Sequence, residues 1–159
     1  MDAADSQNVV STIHEFCRAL DERDWALLRR CLAPVLATDY SSFRGTEPAR
    51  MTAEEFISLR KTGLATLLTQ HLTCNHLVTF KPSQAGCRFD FVIHRWPKDP
   101  VDSRLLHTYG YYEMLLGLEP MAPHAWVIEA ITQHAIHSEG DPAIHGAHRA
   151  EHGRRSEAE

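Results

Sequence analysis

No GxGxxG, GxxxxGK, GxSxG, HExxH or CxxC pattern occurs in this chain of 159 residues. Their absence argues against dinucleotide and triphosphate binding, the common serine hydrolases and the familiar zinc sites. Basic residues are not in surplus either. Sixteen Lys and Arg against 21 Asp and Glu leave a formal charge of −5, which offers no electrostatic footprint for nucleic acid or anionic lipid. No apolar run approaches the ~20 residues of a membrane helix. The acidic opening MDAADSQ lacks the basic and apolar regions of a signal peptide, so a cytoplasmic protein is expected. Cys17, Cys31, Cys74 and Cys87 form no framework and read as small buried apolar side chains in a reducing compartment.

With 43% hydrophobic and 23% charged residues, the chain has the composition of one soluble globular domain. Val9, Ile13, Phe16, Cys17 and Leu20 recur at helical spacing and predict an amphipathic helix over residues 6–21. Trp25, Leu28, Cys31 and Leu32 mark a second, short helix ending before Pro34. VLATDYSSF (residues 35–43) reads as a strand. Thr52 and Glu55 form a capping box that opens a third helix, with Phe56, Leu59 and Leu64 facing inward. Four long strands follow at 69–80, 86–96, 104–118 and 124–137, separated by the turn-rich KPSQAG, PKDPVD and GLEPMAPH. The expected fold is α+β: three N-terminal helices packed into a strongly curved, mostly antiparallel sheet. Such a sheet makes a cone whose mouth is a pocket. Residues 1–140 form this domain, and 141–159 a polar tail.

Within the strand TQHLTCNHLV, His71 and His76 are five apart, so a regular strand sets them on opposite faces and keeps them from sharing a metal. His134 and His137, three apart in another strand, are separated in the same way. His145, His148 and His152 lie in the tail without a cage of cysteines or carboxylates, and no metal is expected. Trp25 and Trp126 are expected in the core.

LDERDWALLRRCLAPVLATDYSSF, then MTAEEFISL, TQH and VIHRWP, in this order and spacing, closely resemble fungal scytalone dehydratase and its relatives in aromatic polyketide pathways. The resemblance implies the same α+β cone, a trimer, a small-molecule polyketide substrate and no cofactor. It implies removal of water from a β-hydroxy ketone on a partly reduced ring, completing aromatisation. His71 corresponds to the base, Asp21 to the carboxylate that orients it, Tyr40 to a tyrosine that polarises the ketone through water, and His94 to a histidine beside the departing hydroxyl. The candidate substrate pocket comprises Phe43, Leu59, Asp90, Val92, Gly110, Tyr112 and Ile131.

Several positions depart from the family pattern. Leu20 replaces a second tyrosine, Gly110 and Tyr112 replace a serine and an asparagine, and Asp90 falls where an apolar residue is expected. The tail carries no phenylalanine to close the site. Strand parity also opposes one assignment. A one-sided strand would bury Phe89, Phe91 and Ile93 and expose His94, unless a bulge intervenes or the phenylalanine face meets another subunit. Three functions stay open: the dehydratase, a cyclase, isomerase or decarboxylase in the same pocket, and a non-catalytic binding protein.

Overall fold

The computed structural model describes residues 3–145. Helix α1 (Ala3–Glu22) buries Val9, Ile13, Phe16, Cys17 and Leu20 along one stripe, as the periodicity predicts. Helix α2 (Trp25–Cys31) is capped by Asp24, whose side chain accepts from the Leu27 N–H. Strand β1 (Leu32–Asp39) begins at once, earlier than expected, and includes Pro34. It ends before Tyr40, and SSFR forms the single turn α3 (Ser41–Arg44) rather than more strand. A short strand β2 (Ala49–Thr52), not foreseen from the sequence, leads into α4 (Ala53–Gly63). The capping box is present: Thr52 Oγ1 accepts from Glu55 N at 3.2 Å, and Glu55 Oε2 from Thr52 N at 2.7 Å. Strands β3 (Leu67–Lys81), β4 (Gln84–Pro97), β5 (Leu106–Leu118) and β6 (Trp126–Gly140) follow. A 3₁₀ turn spans Pro142–His145.

The six strands form one sheet in the order β2-β1-β6-β5-β4-β3, antiparallel except where β1 runs parallel to β6. Helices α1 and α4 pack on its concave side, giving the α+β cone. Strand β4 keeps strict alternation: Ala85, Cys87, Phe89, Phe91, Ile93 and Arg95 are buried, and the residues between them are not. The phenylalanine face is therefore core and not a subunit interface. Trp126 is buried in that core, whereas Trp25 is half-buried at its edge. Three cysteines are buried, but Cys74 is exposed. Among the described residues, no helix is long and apolar enough to cross a membrane.

Two of the sheet's irregularities redirect histidines. In β3 the register slips between Cys74 and Leu77, with Asn75 at a φ of 55°. One extra residue inverts the alternation, so His71 and His76 both face the concave side, contrary to the regular-strand expectation. His76 stacks on Phe89 at 5.2 Å and meets His14 edge-on at 5.1 Å, which makes it a core aromatic. In β6, Ile136 is the extra residue between the pairs Tyr109–His137 and Gly110–Ala135. That slip puts His134 and His137 on the same outer face, stacked on Tyr111 and Tyr109.

Gly110 sits at this second bulge with no room for a side chain. A Cβ there would lie 2.0 Å from the His134 carbonyl oxygen. Gly110→Ala is expected to cost about 1–3 kcal/mol through forced separation of β5 and β6, read as a lower denaturant midpoint at unchanged slope.

Candidate functional site

The end of α1 and the start of β3 meet at a single carboxylate. Asp21 Oδ1 lies 2.6 Å from His71 Nδ1 and accepts from Thr69 Oγ1 at 2.9 Å, while Oδ2 accepts from the His71 backbone N–H at 2.8 Å. Thr69 and His71 share one face of β3 because they are two apart. With Nδ1–H donated to Asp21, the neutral imidazole keeps Nε2 as its acceptor atom. The His71 ring is almost fully enclosed, its side chain 7% exposed, yet it lines a cavity.

Arg23 secures this corner from behind. It holds a left-handed φ of 62° just past the helix, and its guanidinium donates to Leu20 O, Leu67 O, Leu64 O and Thr69 Oγ1. Burial lowers its pKa, and the Asp21 charge opposes that shift. Nothing in the residue pattern marks Arg23 beyond its place in LDERD. Its bonds bind the end of α1 to the α4–β3 junction and so fix where Asp21 meets His71.

About 440 Å³ of atom-free space, counting the open solvent at its mouth, lies in the cavity. Tyr40, Phe43 and Tyr112 supply aromatic wall, and Phe16, Leu20, Leu64 and Ile93 supply aliphatic and ring surface. DYSSF places two of these side chains through one local bond and one anchor to β6. Asp39 Oδ1 accepts from Ser41 N, and Ser42 Oγ bridges Gln133 O and Ala135 N at the β6 bulge. Tyr40 and Phe43 are thereby set beside the sheet. Tyr112 is buried on Phe91, and its hydroxyl accepts from Gln133 Nε2 at 2.6 Å. Burial raises the Tyr112 pKa well above the usual phenol value, which keeps it neutral.

Of the expected site, the structure brings together His71, Asp21, Tyr40, Phe43 and Tyr112. It does not bring in the rest. His94 lies on the outer face, its Nδ1 3.0 Å from His107 Nδ1 and its ring stacked on Trp96. The unbroken alternation of β4 excludes it from the cavity and puts Arg95 there instead. Asp90 and Val92 share the outward parity of His94, and Asp90 accepts from Asn75 and Arg88. Leu59 is 53% exposed because the buried stripe of α4 runs through Ala53, Phe56, Ile57 and Arg60. Ile131 is buried core beside the cavity rather than lining, and Gly110 is occupied by the bulge.

Sequence reasoning missed Arg44, Arg60, Arg95, Gln133 and His145, all of which line the cavity. Two of them carried a legible signal. Arg95 continues the inward parity of Phe91 and Ile93, and Arg60 lies four residues after Phe56 on the apolar stripe. His145 lies in what was read as polar tail, yet its ring packs edge-on to Phe43 at 5.7 Å and its neighbour Ile144 is buried. His148 and His152 lie outside the described residues. Among the described residues, no group of three metal-ligating side chains converges.

A curved α+β sheet thus carries a carboxylate–imidazole pair at an aromatic-walled cavity. A family model described as a SnoaL-like domain matches residues 1–132, and the chain belongs to that family. It is similar to scytalone dehydratase PfmaJ of Pestalotiopsis fici, 41% identical over 61 residues, covering 36% of this chain and 32% of that protein. Scytalone dehydratase of Pyricularia oryzae is 35% identical over 72 residues, covering 43% and 42%. These matches span less than half the length of either relative. The Kfla4162 protein of Kribbella flavida shares the fold, with a TM-score of 0.79 at 17% identity over 90% of this chain and 97% of that one.

One pH dependence follows from the cavity. Burial first, then the charges of Arg95, Arg44 and Arg60, lower the His145 pKa from 6.5 to about 3. Between those values the unfolded chain binds a proton that the folded chain refuses, so stability present above pH 6.5 is lost as pH falls toward 3. Urea midpoints measured across that window are expected to fall less steeply for His145→Leu than for the wild type.

Proposed function

We propose that this protein is a cofactor-independent dehydratase that removes water from a β-hydroxy ketone on a partly reduced aromatic ring. The observation that carries this reading is the 2.6 Å Asp21–His71 pair opening onto an aromatic-walled cavity. His71 Nε2 takes the proton next to the carbonyl, and the imidazolium so formed is stabilised by Asp21. Tyr40, in the cavity wall, donates to the carbonyl oxygen as enolate charge develops, directly or through water. Expulsion of the hydroxyl needs a proton, and His94 is too far round the sheet to give it. The protonated His71 can return its proton when the C–H and C–O bonds lie on the same face of the ring, so one imidazole serves both half-steps.

The named relatives support dehydration as the reaction class, and the family membership supports a small-molecule pocket. A polyketide origin of the substrate and a trimeric assembly rest on the resemblance. Exposed Leu68, Leu72, Leu77 and Trp96 on the outer face of β3 and β4 are the surface that self-association would cover.

A second reading, isomerase, cyclase or decarboxylase, is favoured by Leu20. It puts an alkyl group in the cavity where the family has a second hydroxyl, leaving Tyr40 as the single tyrosine of the carbonyl clamp. It needs the same base but no leaving-group acid.

The test is incubation with scytalone and with larger bicyclic or tricyclic β-hydroxy ketones, followed by absorbance and product mass. Loss of one water is expected, with His71→Ala folding normally and losing about 10²–10⁴-fold in rate. Product of unchanged mass would establish the isomerase or cyclase, and loss of carbon dioxide the decarboxylase. Asp21→Asn keeps the shape of the partner without its charge, and is expected to lower kcat more than it raises KM.

A further inference from the structure

Three arginines face the cavity with no acid to answer them. Arg95 is 4% exposed and Arg60 9% exposed, and Arg44 is half-buried beside them. Among the described residues, none of the three pairs with a carboxylate. Arg95 donates to Thr108 Oγ1 at 2.8 Å and lies over the Phe43 ring, 5.0 Å from its centroid. Arg60 lies 4.6 Å over the rings of Tyr40 and Phe56, and its Nε is buried without an acceptor. Arg44 lies 5.6 Å from the Tyr40 centroid. The nearby carboxylate, Asp21, is already engaged by Thr69 and by the ring and backbone of His71.

Charge of one sign gathered in a shielded site is costly unless something neutralises it. Burial and mutual repulsion lower Arg44 and Arg95 to about 10, which still leaves both charged at neutral pH. A guanidinium also does not escape by losing its proton, as a lysine can. The missing partner must be an anion, and the planar donor fork matches a carboxylate. Tyr40 and Phe43, over which the arginines lie, also line the cavity with Tyr112, so the same ligand must carry a flat apolar body.

We propose that the substrate is a ring compound bearing a carboxylate, which Arg44, Arg60 and Arg95 hold while the reacting C–H faces His71. The reacting half rests on the proposed base chemistry, whereas the carboxylate half stands on the arginines alone.

The experiment reads binding rather than turnover. Titration calorimetry on the full chain at low salt compares 2-naphthoate with 2-naphthamide, its neutral counterpart of the same shape. The carboxylate is expected to bind at least about tenfold tighter, the scale of one charge-assisted hydrogen-bond set. A smaller preference overturns the proposal, and this comparison needs no variant to fold. Arg44→Gln, at the least buried of the three, is expected to weaken naphthoate about tenfold and leave naphthamide unchanged. Loss of both affinities together, or of neither, overturns the assignment to these arginines. Acid preference without dehydration of any ketone would keep the carboxylate site and remove the proposed reaction. Dehydration of neutral ketones without acid preference would do the reverse.

Discussion

The Asp21 carboxylate is the joint on which the site depends. Three donors converge on its two oxygens, and they come from a neighbouring strand some fifty positions along the chain. Hydrogen bonds to a charged group contribute about 1.5–3 kcal/mol each, so the joint is structural as well as chemical. The backbone N–H of His71 contributes as much to the geometry as its ring does. It fixes the strand relative to the helix, so the imidazole starts from a set position and has little freedom left. Arg23 completes the corner by tying the carbonyls around the end of α1 and the start of β3 to one guanidinium.

The rest of the cavity is a consequence of curvature. Helices α1 and α4 fill the concave side of the sheet, and the space they leave near β4 and β6 takes aromatic and cationic side chains together. The arginine stems and the ring faces solve each other's problem. Rings that would be half-wet gain a cation over the face, and cations that would be unsolvated gain a polarisable neighbour. Ser42 spans the β6 bulge and attaches α3 to the sheet, so Tyr40 and Phe43 stand on a fixed support despite lying in a connection between strands.

Much of the fold was legible because its signals are local. The stripe of α1, the capping box at Thr52 and the alternation of β4 each state a face or a boundary within a few residues. What could not be read was anything created by one extra residue. Neither bulge changes composition, so His76 and His134 fall on the faces opposite to those that regular alternation assigns. The site divided along the same line. Asp21 and His71 meet as expected because helix end and strand join without slippage, and Tyr40 reaches the cavity on the turn that Ser42 anchors. His94 did not, and the alternation of Phe89, Phe91 and Ile93 had already pointed it outward. Arg44 and His145 gave no local signal, since their burial depends on elements remote in the chain.

The even alternation of β4 also bears on how such a pocket can diversify. His94 and Arg95 are consecutive, so they stand at successive positions of the strand on opposite faces. A single-residue insertion upstream in β4 would turn the imidazole inward and the guanidinium outward, with no substitution at either position. Two cavity chemistries, one with a second proton-transfer group and one with a fixed cation, are thus separated by one codon's worth of slippage. In a curved sheet of this kind, indels in the strands can redraw specificity as effectively as point changes in the lining.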